Sequence, residues 1–141
     1  MTATIRCFAL AALPVGLLLA GCRGDDGLYQ RSGVVTFAGR AVPDGELRIA
    51  PDTAKGNQGP GVVAMIEDGQ FRTANGKGTA AGPHVLTVLG FDGNTPDNQA
   101  DAYEFPRGRP LFEPIRLELD LPANDSSHNI ELPVALDSGH Q

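Results

Sequence analysis

Tryptophan is absent from this 141-residue chain, aromatic residues make up only 6% of it, and there are just two cysteines. Both cysteines, Cys7 and Cys22, lie near the N-terminus. The remainder therefore has no thiol for a disulfide, a zinc site or a cysteine nucleophile. Basic residues are also scarce: 11 Lys and Arg against 17 Asp and Glu leave a net charge of −6, and no Lys/Arg cluster occurs. Nucleic-acid binding needs a basic face, so that class of partner is excluded. There is no Gly-x-Ser-x-Gly elbow. The glycine-rich stretches 56–61 and 76–82 lack the Gly-Lys-Ser/Thr ending and following helix of a phosphate loop. The three histidines, His84, His128 and His140, have no metal-ligand spacing. With no catalytic constellation legible, the sequence points to a protein that is not an enzyme and calls for no cofactor.

The longest apolar run, Phe8 to Ala20, is interrupted by Pro14 and Gly16 and falls short of the about 20 residues that span a bilayer. Arg6 precedes it and the small residues Ala20 and Gly21 follow, the three-part layout of a secretory signal. Leu19-Ala20-Gly21-Cys22 resembles a bacterial lipobox. The resemblance implies lipid transfer to the Cys22 thiol, cleavage before Cys22, and fatty acylation (palmitate or a similar chain) of the new amino terminus. Each buried methylene contributes about 0.8 kcal/mol, and several chains are needed for stable anchoring. The rivals are an ordinary cleaved signal and an uncleaved anchor. The implied location is the cell envelope, with the membrane as a partner through the lipid. Because Arg23 stands where some bacteria use aspartate to retain lipoproteins at the inner membrane, the outer membrane is favoured. Arg23-Gly24-Asp25 spells an integrin-type tripeptide, but beside a lipid anchor a partner would approach it poorly.

The expected organisation is a signal peptide over 1–21, a polar tether over 22–31, one domain over 32–136 and a tail over 137–141. Within the domain, short apolar-alternating runs are separated by Gly, Pro, Asp and Asn, the pattern of an all-β protein. Runs are expected at Gly33–Phe37, around Leu47 and Ile49, at Val62–Ile66, Gln70–Thr73, His84–Phe91, Ile115–Leu121 and Ile130–Val134. Val62–Ile66 is nearly continuous in apolar character and reads as a central strand. Asp68-Gly69 is the strongest hairpin signal. Ile115, Leu117, Leu119 and Leu121 alternate with Arg116, Glu118 and Asp120, giving one core face and one charged face. The economical arrangement is a seven-stranded antiparallel β-sandwich without a helix.

Ser32 to Gly45, with its glycine turn and Val42-Pro43 step, resembles the opening of transthyretin-like, or carboxypeptidase regulatory-like, domains. Asp68-Gly69-Gln70-Phe71 is similar to that family's Asp-Gly-x-Phe hairpin, and Gly82-Pro83-His84-Val85-Leu86-Thr87-Val88 to its Pro-Gly-x-Tyr-x-Leu-x-Val strand. Here the glycine and proline are transposed, and His84 replaces the usual tyrosine. The resemblance covers residues 32–91 and, loosely, 110–135. It implies a fold and an anchor rather than an activity. The hydroxyisourate hydrolases of this group end in Tyr-Arg-Gly-Ser, whereas this chain ends in Ser138-Gly139-His140-Gln141, so their activity is not carried over.

Residues 92–109 have no usable periodicity, and an unpatterned stretch of that length tends to be functional or disordered. Asp92-Gly93-Asn94-Thr95-Pro96-Asp97 begins like a calcium loop but has Pro96 at the fifth position, Asp97 where glycine is required, and Tyr103 at the twelfth. A weaker site using Asp92, Asn94, Asp97 and Asp101 is the candidate metal centre, and a solvated acidic loop is the preferred reading. Tyr103 and Phe105 are the candidate stacking surfaces for a glycan or small ligand. The expected function is a lipid-anchored envelope protein whose domain is an interaction or structural module, with glycan or small-ligand binding as the alternative.

Overall fold

The structure, a computed structural model, describes residues 27–134. The signal segment, Cys22, the Arg23-Gly24-Asp25 tripeptide and His140 lie outside the described residues. Eight strands form: β1 (Arg31–Phe37), β2 (Arg40–Ala41), β3 (Asp44–Pro51), β4 (Val62–Glu67), β5 (Gln70–Arg72), β6 (Gly82–Phe91), β7 (Ile115–Leu121) and β8 (Ser126–Leu132). One short helix, α1 (Gln99–Glu104), and a 3-10 turn at Thr53–Lys55 interrupt them. None of the helices among the described residues is long and apolar enough to cross a membrane.

Hydrogen-bonded neighbours follow the path β2-β1-β5-β4-β3-β6-β7, antiparallel throughout, and the sheet curls around one core. Val35 shows how β1 serves two partners along one edge. Its N–H donates to Gly69 O at 2.7 Å, and its carbonyl accepts from Val42 N at 3.1 Å. The other edge of β1 is taken by β8, which runs parallel to it in register from Arg31↔Ser126 to Phe37↔Leu132. Gly33 sits in the middle of this pairing, where a Cβ would collide with the carbonyl of His128, so only glycine lets the two strands close.

The core gathers inward-facing residues of the strands: Val35, Leu47, Ile49, Ala64, Ile66, Leu86, Val88, Ile130 and Leu132 are buried, with Ile115, Leu117 and Leu119 packed against them. Full burial of each large aliphatic contributes about 1.5–3 kcal/mol. The Asp68-Gly69 hairpin is present, both residues having positive φ (49° and 79°) as a type I′ turn requires.

Five expectations need correction. A seventh antiparallel strand at the C-terminus is instead parallel to β1, and an eighth, two-residue strand, β2, is present. The last strand begins at Ser126, ahead of the expected run Ile130–Val134, and ends at Leu132, leaving Val134 53% exposed. The domain is not helix-free, because Asn98 caps α1 within the long loop. Finally, β4 is not buried on both faces: Val63 and Met65 are 54% and 49% exposed while Val62, Ala64 and Ile66 point inward. Its apolar run conceals an alternation, because small and branched apolar residues occupy the wet face as well as the dry one. Two residues of the expected tether take part in pairing: Tyr29 bridges Thr79, and Arg31 starts β1.

Candidate functional site

The 92–109 loop leaves the end of β6 and returns to it. Asp92 N donates to Arg109 O at 3.0 Å, and Leu111 N donates to Gly90 O at 2.9 Å, so its base is closed like a hairpin. The Asp92 carboxylate tightens that base: Oδ1 accepts from Asn94 N at 2.9 Å and from Arg109 N at 3.0 Å. Farther out, Thr95 Oγ1 donates to Pro106 O at 3.0 Å. Helix α1 starts at Asn98, whose Oδ1 accepts from Asp101 N at 2.8 Å while its Nδ2 donates to Asp101 Oδ2 at 2.9 Å. This reciprocal cap satisfies the first turn of a helix too short to hold itself.

Two arginines pin the loop to the sheet. Arg107 bridges to the Asp44 carboxylate, donates to Gly45 O at 2.7 Å, and lies 5.0 Å from the centre of the Phe91 ring. Arg109 lies 5.2 Å from the Phe105 ring and 3.8 Å from the Asp101 carboxylate. The two aromatic candidates therefore differ. Phe105 is half-buried with a guanidinium over its face, whereas Tyr103 is 91% exposed on α1.

The calcium candidates are dispersed among these contacts. Asp92 is occupied by two backbone amides, Asp101 by the helix cap and Arg109, and Asp97 is exposed. Asn94 contributes its backbone N–H to the loop base. Among the described residues no three His, Cys, Asp or Glu side chains converge on a common point.

A second constellation lies at the opposite end of the sheet. Arg31 is 1% exposed, and all five of its side-chain N–H groups have acceptors. Nε donates to Thr79 Oγ1 (2.8 Å), Nη1 to Asn124 O (2.7 Å) and Ser126 Oγ (2.6 Å), and Nη2 to Pro122 O (2.8 Å) and Ala80 O (3.4 Å). Burial pushes its pKa below the ordinary arginine value, with Asp125 and Tyr29 acting in the other direction. Ser126 Oγ in turn lies 2.7 Å from His128 Nε2. Burial first, and the neighbouring Arg31 second, hold the His128 pKa below 6.5. A serine beside a neutral histidine is the geometry of an activated hydroxyl. Here, however, the serine oxygen also accepts from Arg31, and Arg31 has no donor left to receive an anion. The arrangement is a lock that joins β1, β8 and the 79–80 loop.

This lock was not read from the sequence, although its signal is there. Counting back by two from Val35 puts Gly33 and Arg31 on the inward face of β1, yet a charge beside a polar tether reads as tether. His84 also faces the core at 1% exposure. Its Nδ1 donates to Gly82 O at 2.8 Å, and its buried Nε2 has no hydrogen-bond partner. Asn57 Nδ2, 3.3 Å from His84 Nδ1, is itself a donor and is satisfied by Pro83 O at 2.7 Å.

Where β4 and β5 splay apart beyond Ile66↔Phe71, an open groove of about 760 Å³ is lined by Val34, Val63, Met65 and Arg72 among others. No protein family, curated protein or solved structure matches this chain.

Proposed function

We propose that the chain is a non-enzymatic, lipid-anchored module of the cell envelope that presents its 92–112 loop away from the membrane. The observation that carries this reading is the placement of two ends of one strand. At the start of β1, Arg31 is bonded to the 79–80 loop and to the 122–126 turn. At its finish, the Phe37 ring packs 4.6 Å from the Phe112 ring at the base of the long loop. A strand rises about 3.3 Å per residue, so β1 separates the N-terminal end of the domain from the loop by roughly 20 Å. An anchor at Cys22 would hold the N-terminal end at the bilayer and turn the loop outward.

In this reading the curled sheet is a β-sandwich of the transthyretin-like kind, β4-β3-β6-β7 forming one layer and β5-β1-β8 the other, joined by the Asp68-Gly69 hairpin. The splay of β4 from β5 supports it, since strands of facing layers part once they leave their shared turn. Absence of aspartate after Cys22 favours the outer membrane. Fractionation of a native host tests the anchor: the Cys22→Ala protein should leave the membrane fraction and lose the acyl mass. Equal membrane retention and identical cleavage would refute it.

Glycan or small-ligand binding is the second reading, favoured by the exposure of Tyr103. It predicts retention on polysaccharide columns that Tyr103→Ala and Phe105→Ala abolish. A protein-interaction module instead predicts crosslinks from residues 92–112 to other envelope proteins and no such retention.

A further inference from the structure

Six asparagines occur in the chain, and only Asn75 is followed by glycine. Asn75 and Gly76 form the middle of a turn closed by Lys77 N donating to Ala74 O at 2.9 Å. Gly76 has φ of +73°, while Asn75 keeps a negative φ, which makes this a type II turn. In such a turn the N–H of the third residue points away from the closing bond and is left to solvent. Both residues are exposed, nothing lies within 4 Å of a Cβ built on Gly76, and among the described residues the Asn75 side chain has no hydrogen-bond partner.

Asn94, Asn124 and Asn129 are followed by Thr95, Asp125 and Ile130, whose side chains shield the nitrogen that would attack, and other sites are restrained by their hydrogen bonds. Asn57 has Oδ1 accepting from Gln58 N at 2.9 Å, the very nitrogen that would have to attack, and Nδ2 held by Pro83 O. Asn98 is engaged at both ends of its amide by Asp101. Among the Asp-Gly pairs, Asp44 bridges to Arg107, Gly69 N donates to Val42 O at 2.8 Å, and Asp92 Oδ1 accepts two amides.

We propose that Asn75-Gly76 is a self-modifying site at which the protein ages. The Gly76 backbone nitrogen attacks Cγ of Asn75. A new C–N bond closes a five-membered imide, the Cγ–Nδ2 bond breaks, and the proton from Gly76 leaves with the amide as ammonia. Water then opens the imide at either carbonyl, giving aspartate or isoaspartate. Each event puts a carboxylate beside Lys77, and the isoaspartyl product lengthens the backbone by one carbon. That change falls in the turn leading to Thr79 and Ala80, both of which accept from the buried Arg31.

The test is timed incubation of the folded protein at neutral pH, followed by peptide mapping and enzymatic methyl labelling of isoaspartate. Residue 75 should convert at least about tenfold faster than any other described asparagine. The label should disappear in Asn75→Gln and be strongly reduced in Gly76→Ala, whose added methyl meets no neighbour but shields the attacking nitrogen and strains the turn at φ +73°. Conversion of residue 75 no faster than Asn57 or Asn98, or undiminished labelling in Asn75→Gln, would overturn the proposal.

Discussion

Arg31 and Ser126, 95 residues apart, form the first rung of the β1–β8 pairing and are also joined through their side chains, Nη1 to Oγ, at 2.6 Å. The buried guanidinium has no carboxylate within bonding distance among the described residues. Three backbone carbonyls and two hydroxyls take that role. Such a cation is tolerated because every donor is satisfied, and it makes the closure of the sheet depend on one side chain.

Replacing Arg31 by Met should therefore destabilise the domain by about 3 kcal/mol or more, since hydrogen bonds to a charged donor contribute about 1.5–3 kcal/mol each and the acceptors would be left buried. Arg31→Lys should recover little, because three donors on a flexible stem cannot match a five-donor fork. Urea unfolding of both variants measures this, and a loss below about 1 kcal/mol for Met would contradict the lock.

His128 gives the lock a pH dependence. Its folded pKa lies below the ordinary 6.5, so in the window beneath 6.5 the unfolded chain binds the proton that the folded chain refuses. Stability should decline as pH falls through that window and level off once the folded histidine also protonates. Melting curves from about pH 7.5 to about pH 5 should show a steeper decline for the wild type than for His128→Gln. Parallel curves would remove His128 from the account.

The long loop should not take up calcium. Asp92 and Asp101 already accept from backbone and side-chain donors, and binding a cation would mean giving up those bonds. Calorimetry at millimolar calcium should register no heat beyond dilution, and a saturable isotherm would show that the loop rearranges.

Because β5 pairs only with Ile66 and Glu67 of β4, the rest of that side of β4 is open, it carries no charge from Gly61 to Met65, and Val63 and Met65 are exposed on the wet face beside it. Edges of this kind invite pairing between copies when a domain is warmed or concentrated. Val63→Lys should raise the onset temperature of aggregation while moving the unfolding free energy by no more than about 0.5 kcal/mol. Light scattering and denaturant unfolding on the same samples separate the two effects.

The sequence revealed those parts of the fold that depend on local alternation. The dry and wet faces of β6 and β7, the Asp68-Gly69 hairpin and most of the core follow from a period of two. It did not reveal the partner of the last strand, because alternation fixes which side chains point inward and says nothing about whether the neighbouring strand runs parallel or antiparallel. Helix α1 escaped for a different reason. Its six residues present no apolar stripe, and what holds it is the Asn98–Asp101 cap. The loop drew notice through its length and its carboxylates, but which of these were free could be learned only from where the backbone amides fall. Tyr103 and Phe105 look equivalent in the sequence, and Arg109 makes them unequal.

The parallel seating of β8 against β1 also bears on how the protein is made. A chain delivered from its N-terminus presents β1 first among the described strands, but β8, the neighbour that completes it, comes last. Until residues 122–132 emerge, Arg31 lacks three of its acceptors and one side of β1 stays open. Closure of the sheet must therefore wait for the last of its strands.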